Sequence, residues 1–160
     1  MVEKRMHLYL QEELIRLRAG HSTDISLPLS LSSLLDAGLR QFPPSGSAME
    51  QAIASTEDAL MPWIPALRQE TLEVLECADV VLAPLPGVLG YPQQAVLELD
   101  IEEIERAFQQ LAQVAAGMPA KSQGIPERAD FVAALVVVRE LMHHVGWQQL
   151  RLPGPAVGLD

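Results

Sequence analysis

Between Met6 and Ser30 the chain alternates apolar and polar residues in three short blocks. "MHLYLQ" and "ELIRLRAG" have the two-residue period of half-buried strands, and only Glu12 and its neighbours separate them. That spacing predicts a tight hairpin, with Gly20 and His21 as the next turn. "TDISLPLS" predicts a third strand, ended near Pro28, which has no amide to give a sheet.

From Ser30 the period lengthens. "LSLSSLLDAGLRQF" puts Leu31, Leu34, Leu35 and Leu39 on one helical stripe that stops at Pro43-Pro44. Ser47 and Glu50 have capping-box spacing for a helix from Ala48 to Met61. Pro62 and Pro65 interrupt it, and "ALRQETLEVLECA" is expected to continue as a second helical piece. "DVVLAPL" is a continuous apolar run, expected as a buried parallel strand, with "PGVLGYP" as a loop. Asp100 and Glu103 cap the next helix, whose Ile101, Ile104, Phe108, Leu111 and Val114 or Ala115 share a face. Pro126 is expected in the first turn of a long final helix, closed by Gly146. "WQQLRL" reads as the last strand.

Three strands feeding alternating helices and strands predict a single α/β domain with a mixed sheet over residues 1–152. Residues 153–160 are expected to be a loose tail. The length, 160 residues, suffices for one real core. Apolar residues make up 49% and aromatic ones 4%, so Leu, Val, Ile and Ala must fill that core or a face covered by a partner.

"FVAALVVV" is too short for the roughly 20 apolar residues of a membrane span, and Asp130 and Arg139 bound it. "MVEKRMHLYLQEE" lacks the layout of a signal peptide, and the single Cys77 precludes an internal disulfide. A cytoplasmic protein is expected.

The net charge is −10, with 11 Lys and Arg against 21 Asp and Glu. Polyanion binders draw affinity from cations that neutralise phosphates, so this balance argues against nucleic acid. Arg5, Arg16 and Arg18 are the densest basic residues and read as an ordinary solvated strand face.

"STDISLPLSLSSLL", "LELDIEEIERAFQQLAQV" and "IPERADFVAALVVVRELMHHVGWQQLRL" occur in that order. With the element order around them, they resemble the second domain of the exopolyphosphatase and guanosine-pentaphosphate phosphohydrolase (Ppx/GppA) family. Its third strand reads roughly S-L-P-L-G, and its long apolar helix follows P-E-R-A-D. The resemblance runs from about Arg5 to Leu152 and implies the ribonuclease-H-like half of the actin-like ATPase fold. In that fold the long helix packs on the sheet, where apolar residues all round are appropriate. Pro126, Glu127, Arg128 and Asp130 are then a structural helix-start motif, with acids near the helix's positive end.

The resemblance also shows what is changed. Family members bind phosphate at a glycine-rich loop, roughly D-I-G-G-G-S, in the first hairpin. Here Gln11, Glu12 and Glu13 stand at that turn, and carboxylates repel an anion. A second loop, roughly G-T-G-G-T, follows the family's middle strand. The matching stretch here is expected to be "VVLAPLPGVLGYP", where Pro84 and Pro86 have no amide to donate and Gly87 and Gly90 remain. Met1 stands only a few residues before the first strand. The family's first domain, with its water-activating acid, is therefore expected to be absent.

Other chemistry is weaker. Adjacent His143 and His144 point about 100° apart on a helix and do not make a two-ligand face. His7 and His21 lack a Cys or acidic partner at metal spacing. Cys77 reads as a small buried hydrophobe, Ser55 to Asp58 as helix surface, and Ser22 and Ser26 lack a nucleophile elbow.

The expected function is a non-catalytic domain acting as a scaffold or interaction module. A homodimer or another protein would cover the former cleft face, without cofactor or resident metal. The alternative is a residual phosphohydrolase, or a half-enzyme whose first domain is separately encoded. It would act on polyphosphate or guanosine pentaphosphate, with Mg²⁺ near Glu12 or Glu13. A sensor for a small cationic ligand in the old cleft is a third reading.

Overall fold

The computed structural model describes residues 5–20, 23–70, 73–92 and 96–153. Three strands open the chain: β1 (Arg5–Leu10), β2 (Ile15–Ala19) and β3 (Thr23–Ser26). β1 and β2 pair antiparallel around the Gln11–Leu14 turn, and β2 pairs antiparallel with β3. His21 and Ser22 lie outside the described residues. Helix α1 (Leu31–Leu34) continues as a π-turn over Leu35–Leu39, so this helix ends before Pro43. Ser30 and Ser33 cap each other at its start.

Helix α2 (Gly46–Leu60) begins two residues earlier than expected, because Ser45 rather than Ser47 caps it. The Ala48 amide donates to Ser45 Oγ at 3.0 Å. A 3-10 turn over Met61–Trp63 carries Pro62, and α3 (Ile64–Gln69) follows. The expected second helical piece stops there. Its C-terminal part is instead β4 (Val74–Glu76), and the expected strand "DVVLAPL" is a 3-10 turn at Val80–Leu82. Three residues are too few to display a two-residue period. β4 exists because β1 and β6 flank it on both sides and supply its ladder bonds.

Helix α4 (Leu85–Val88) occupies part of the expected loop. An unpredicted edge strand, β5 (Val96–Asp100), precedes α5 (Ile101–Ala115). The Asp100–Glu103 capping box forms as expected, at 2.9 and 3.1 Å. After α6 (Ala120–Gln123) comes α7 (Ala129–Val145), then β6 (Gln149–Pro153). Pro126 lies before α7 rather than in its first turn, because Arg128 is extended and is the N-cap. Gly146 closes α7 at φ +99°, its amide reaching Met142 O at 2.9 Å. Pro153, expected in the tail, pairs with Val96, while 154–160 lie outside the described residues.

The sheet order is β3-β2-β1-β4-β6-β5, with β1, β4 and β6 parallel. One face carries Met6, Leu8, Ile15, Leu17, Leu75, Leu99 and Leu150, all buried. On the other face one register row crosses all six strands: Asp24, Arg18, His7, Glu76, Arg151 and Glu98. Nearby ion pairs are Arg16–Asp24 and Arg5–Glu76, at 2.6 and 2.7 Å, and Arg151–Glu98 at 2.7 Å. The Arg16 hydrogen bond holds the Asp24 carboxyl below its ordinary range. Such partly exposed pairs add little stability. Their effect is to keep this face polar, and they occupy Arg5 and Arg16 near the N-terminus.

Helix α7 is the centre of the helical layer. Every residue from Phe131 to Val138 is buried, against α2, α5, α1 and α3. Full burial of a Val, Leu or Phe is worth about 1.5–3 kcal/mol, so one helix carries a large part of the core. Among the described residues no helix is long and apolar enough to cross a membrane.

Candidate functional site

The carboxyl ends of parallel strands form a crevice where open α/β sheets usually bind ligands. Here β1 ends at Leu10 and β4 ends at Glu76, and the N-termini of α1 and α7 approach the same end. The cleft between them measures about 420 Å³. Leu10, Leu31, Leu35, Val80 and Val81 supply its apolar lining, and Gln11, Glu12, Asp79 and Asp130 its polar lining. No Lys, Arg or His is among these lining residues.

Four backbone donors at this end are already engaged. The Leu10 amide donates to Asp79 Oδ2 at 2.7 Å. The Gln11 amide donates to Leu14 O at 2.9 Å, closing the hairpin. The Ser32 amide, in the first turn of α1, donates to Glu12 O at 2.8 Å. In the first turn of α7, Phe131 N–H donates to Asp130 Oδ1 at 2.8 Å. Arg128 donates to the same Asp130 carboxylate, at 2.8 and 3.2 Å. An incoming anion would meet three carboxylates and bound amides, the reverse of an anion nest.

Of the residues singled out above, Gln11, Glu12 and Asp130 line the cleft, and the others do not. Glu13 is exposed beside them on the turn. Pro126 and Glu127 precede α7, with the Arg128 amide turned back to Pro126 O at 2.8 Å. Pro86 and Gly87 lie in α4 and Gly90 just after it, and none lines the cleft. Gln110 of α5 ties this segment to α6 instead, donating to Val88 O and Gln123 O at 3.1 and 2.7 Å. The segment that directly follows the middle strand is Cys77–Asp79, so the second loop is displaced from its expected place together with β4.

Asp79 is the cleft residue that pattern reading passed over, because it was placed inside a strand. A carboxylate three residues after the end of β4 at Glu76 was its available signal. Cys77 beside it is 2% exposed, and its Sγ lies 3.6 Å from Asp79 Oδ2. Burial, with the Asp79 charge adding to it, pushes the thiol up to about 12. Such a thiol stays protonated at neutral pH and is a poor nucleophile.

The described histidines sit elsewhere. His7 Nδ1 lies 3.6 Å from Glu76 Oε2 on the polar sheet face. The rings of His143 and His144 stand edge to face, 5.3 Å apart. His144 turns towards Glu57 and Glu140, in a cluster separate from the cleft.

The sequence matches no protein-family model and no curated protein. The fold does have solved counterparts. A Ppx/GppA enzyme from Aquifex aeolicus superposes with a TM-score of 0.74 at 14% identity, over 96% of this chain and 54% of that one. An exopolyphosphatase from Cytophaga hutchinsonii gives 0.70 at 14% identity, over 95% and 53%. An exopolyphosphatase-like protein gives 0.73 at 12% identity, over 94% and 54%. The chain thus has the mixed α/β fold found in Ppx/GppA structures and spans about half their length.

Proposed function

We propose that this chain is a non-catalytic, exopolyphosphatase-related domain that acts as a scaffold or protein-interaction module. The observation that carries this reading is the bond from the Leu10 amide to Asp79 Oδ2, 2.7 Å. A phosphate loop needs free amides aimed at its anion. Here a carboxylate of the same chain takes that position, with Glu12 and Asp130 lining the same cleft.

The module's partner is a second copy of the chain, covering the cleft face. Val80, which lines the cleft, is 80% exposed, and an apolar residue so placed is best buried in an interface. Sedimentation equilibrium at tens of micromolar is expected to give a dimer, and Val80→Glu a monomer. A wild-type chain that stays monomeric removes the dimer.

One feature favours the alternative, a half-enzyme completed by a separately encoded first domain. Glu12, Asp79 and Asp130 are oxygen donors of the kind Mg²⁺ takes. Thermal denaturation with pyrophosphate, short polyphosphate, ATP or guanosine tetraphosphate, each with and without Mg²⁺, separates the readings. A ligand bound by the native state raises the midpoint. No shift is expected from any of them, and a clear shift with any one overturns the non-catalytic reading.

A further inference from the structure

We propose that Glu57, Glu140 and His144 form a binding site for a divalent transition metal of the zinc class. His144 Nε2 lies 2.9 Å from Glu57 Oε2 and 3.1 Å from Glu140 Oε1. All three donor atoms lie within 4.8 Å of one another. In a tetrahedral zinc site with bonds near 2.1 Å, neighbouring donors stand about 3.4 Å apart. The two distances to His144 Nε2 need to open by only a few tenths of an ångström to admit the ion.

The donors are held by helices. Glu140 and His144 are four residues apart on α7, so they share one face, and Glu57 comes from α2 packed beside it. Outer contacts aim them. Arg139 Nη1 donates to Glu140 Oε2 at 2.7 Å, which leaves Oε1 turned to the cluster. Arg139 is itself held by Glu105, with its closest contact at 2.9 Å. Arg68 donates to the His144 carbonyl at 2.6 and 3.0 Å and pins the end of α7.

Charge supplies an independent argument. The Glu140 side chain is 1% exposed and converges with a second carboxylate on one imidazole nitrogen. Two carboxylates so close repel unless a positive centre lies between them. Arg139 Nη1 supplies one such centre for Glu140, at 2.7 Å, and a divalent ion between the two carboxylates would supply one for both. Glu57 and His144 are 40% and 26% exposed, so water can reach the fourth position. The ion clamps α2 to α7 at the end of α7 opposite the cleft, about 20 Å from Asp130 along the helix axis. Imidazole with carboxylates suits zinc and its neighbours better than Mg²⁺.

The test uses chelator-treated full-length protein. Co²⁺ is expected to give visible ligand-field bands that saturate at one equivalent and vanish when Zn²⁺ is added. Zn²⁺, but not Mg²⁺, is expected to raise the thermal midpoint by several degrees. Glu57→Gln and His144→Asn are expected to weaken binding at least tenfold, and His143→Asn to leave it unchanged. Circular dichroism establishes that each variant is folded, and exposed Glu57→Gln serves should His144→Asn not fold. A wild-type chain without Co²⁺ bands or a Zn²⁺ shift overturns the site. So does binding that persists in Glu57→Gln and His144→Asn.

Discussion

Asp79 accepts the Leu10 amide proton across 69 positions of sequence, at 2.7 Å. The bond joins the loop after β4 to the end of β1 and fills the last amide of β1 before the hairpin turn. Leu10 is buried, so removing Asp79 takes away the partner of a largely buried amide. Asp79→Ala is expected to destabilise the fold by about 1–3 kcal/mol, and Asp79→Asn, which keeps an acceptor, by less. Urea denaturation with an unchanged slope is the measurement. An Asp79→Ala variant as stable as the parent would remove the bond from any role in the fold.

Cys77 predicts the alkaline limb of stability. Burial raises its folded-state pKa to about 12, above the ordinary thiol value. The folded state therefore holds the proton where the unfolded chain has lost it. This contribution is complete below about pH 8.5, the unfolded thiol's pKa, and is lost as pH rises towards 12. Urea melts between about pH 7 and 10 should show falling stability, and Cys77→Ala should flatten that slope. Native protein should resist thiol reagents that label the urea-unfolded chain at once.

Glu140 is a buried carboxylate held by Arg139 at 2.7 Å and by His144 at 3.1 Å. The Arg139 guanidinium also lies 4.5 Å over the Phe108 ring. Burial alone would lower the Arg139 pKa, and the hydrogen bonds that it donates to Glu105 and Glu140 more than offset it. Glu140→Ala is expected to cost about 1–3 kcal/mol in metal-free protein, because Arg139 Nη1 loses its partner while Glu105 still holds the guanidinium. A double-mutant cycle of Glu140→Ala with Arg139→Ala should show a coupling of about 1 kcal/mol or more.

The two glycines of the supposed second loop should behave differently. Gly87 lies in α4, and a Cβ there meets nothing within 4 Å. Gly87→Ala is expected to be neutral or to stabilise by up to about 1 kcal/mol. Gly90 has φ +85°, where an L side chain is strained, and Gly90→Ala is expected to cost about 1–2 kcal/mol. Thermal or urea melts decide this. A loss of stability in Gly87→Ala would mean that this glycine is needed for space or conformation.

Local chemistry made much of this protein legible in its sequence. Alternation in "MHLYLQ" and "ELIRLRAG" needs only neighbours to set a half-buried hairpin, and it formed where expected. Asp100 and Glu103 cap α5, and Gly146 closes α7, because each cap is completed within a few residues. The apolar run from Phe131 to Val138 was bound to be core wherever it packed.

What the sequence did not decide depended on partners distant in the chain. β4 is a strand because β1 and β6 lie on either side of it, and its three residues carry no period of their own. That one exchange of helix for strand moved Asp79 from the start of an expected strand to the cleft, and moved Pro86, Gly87 and Gly90 away from it. The pairing of Glu140 with His144 was readable as a four-residue helical spacing. Glu57 was not, because only the packing of α2 against α7 brings it within 2.9 Å of His144. Short-range rules determined which segments were helix or hairpin. Long-range packing determined which side chains meet, and the candidate sites are made of such meetings.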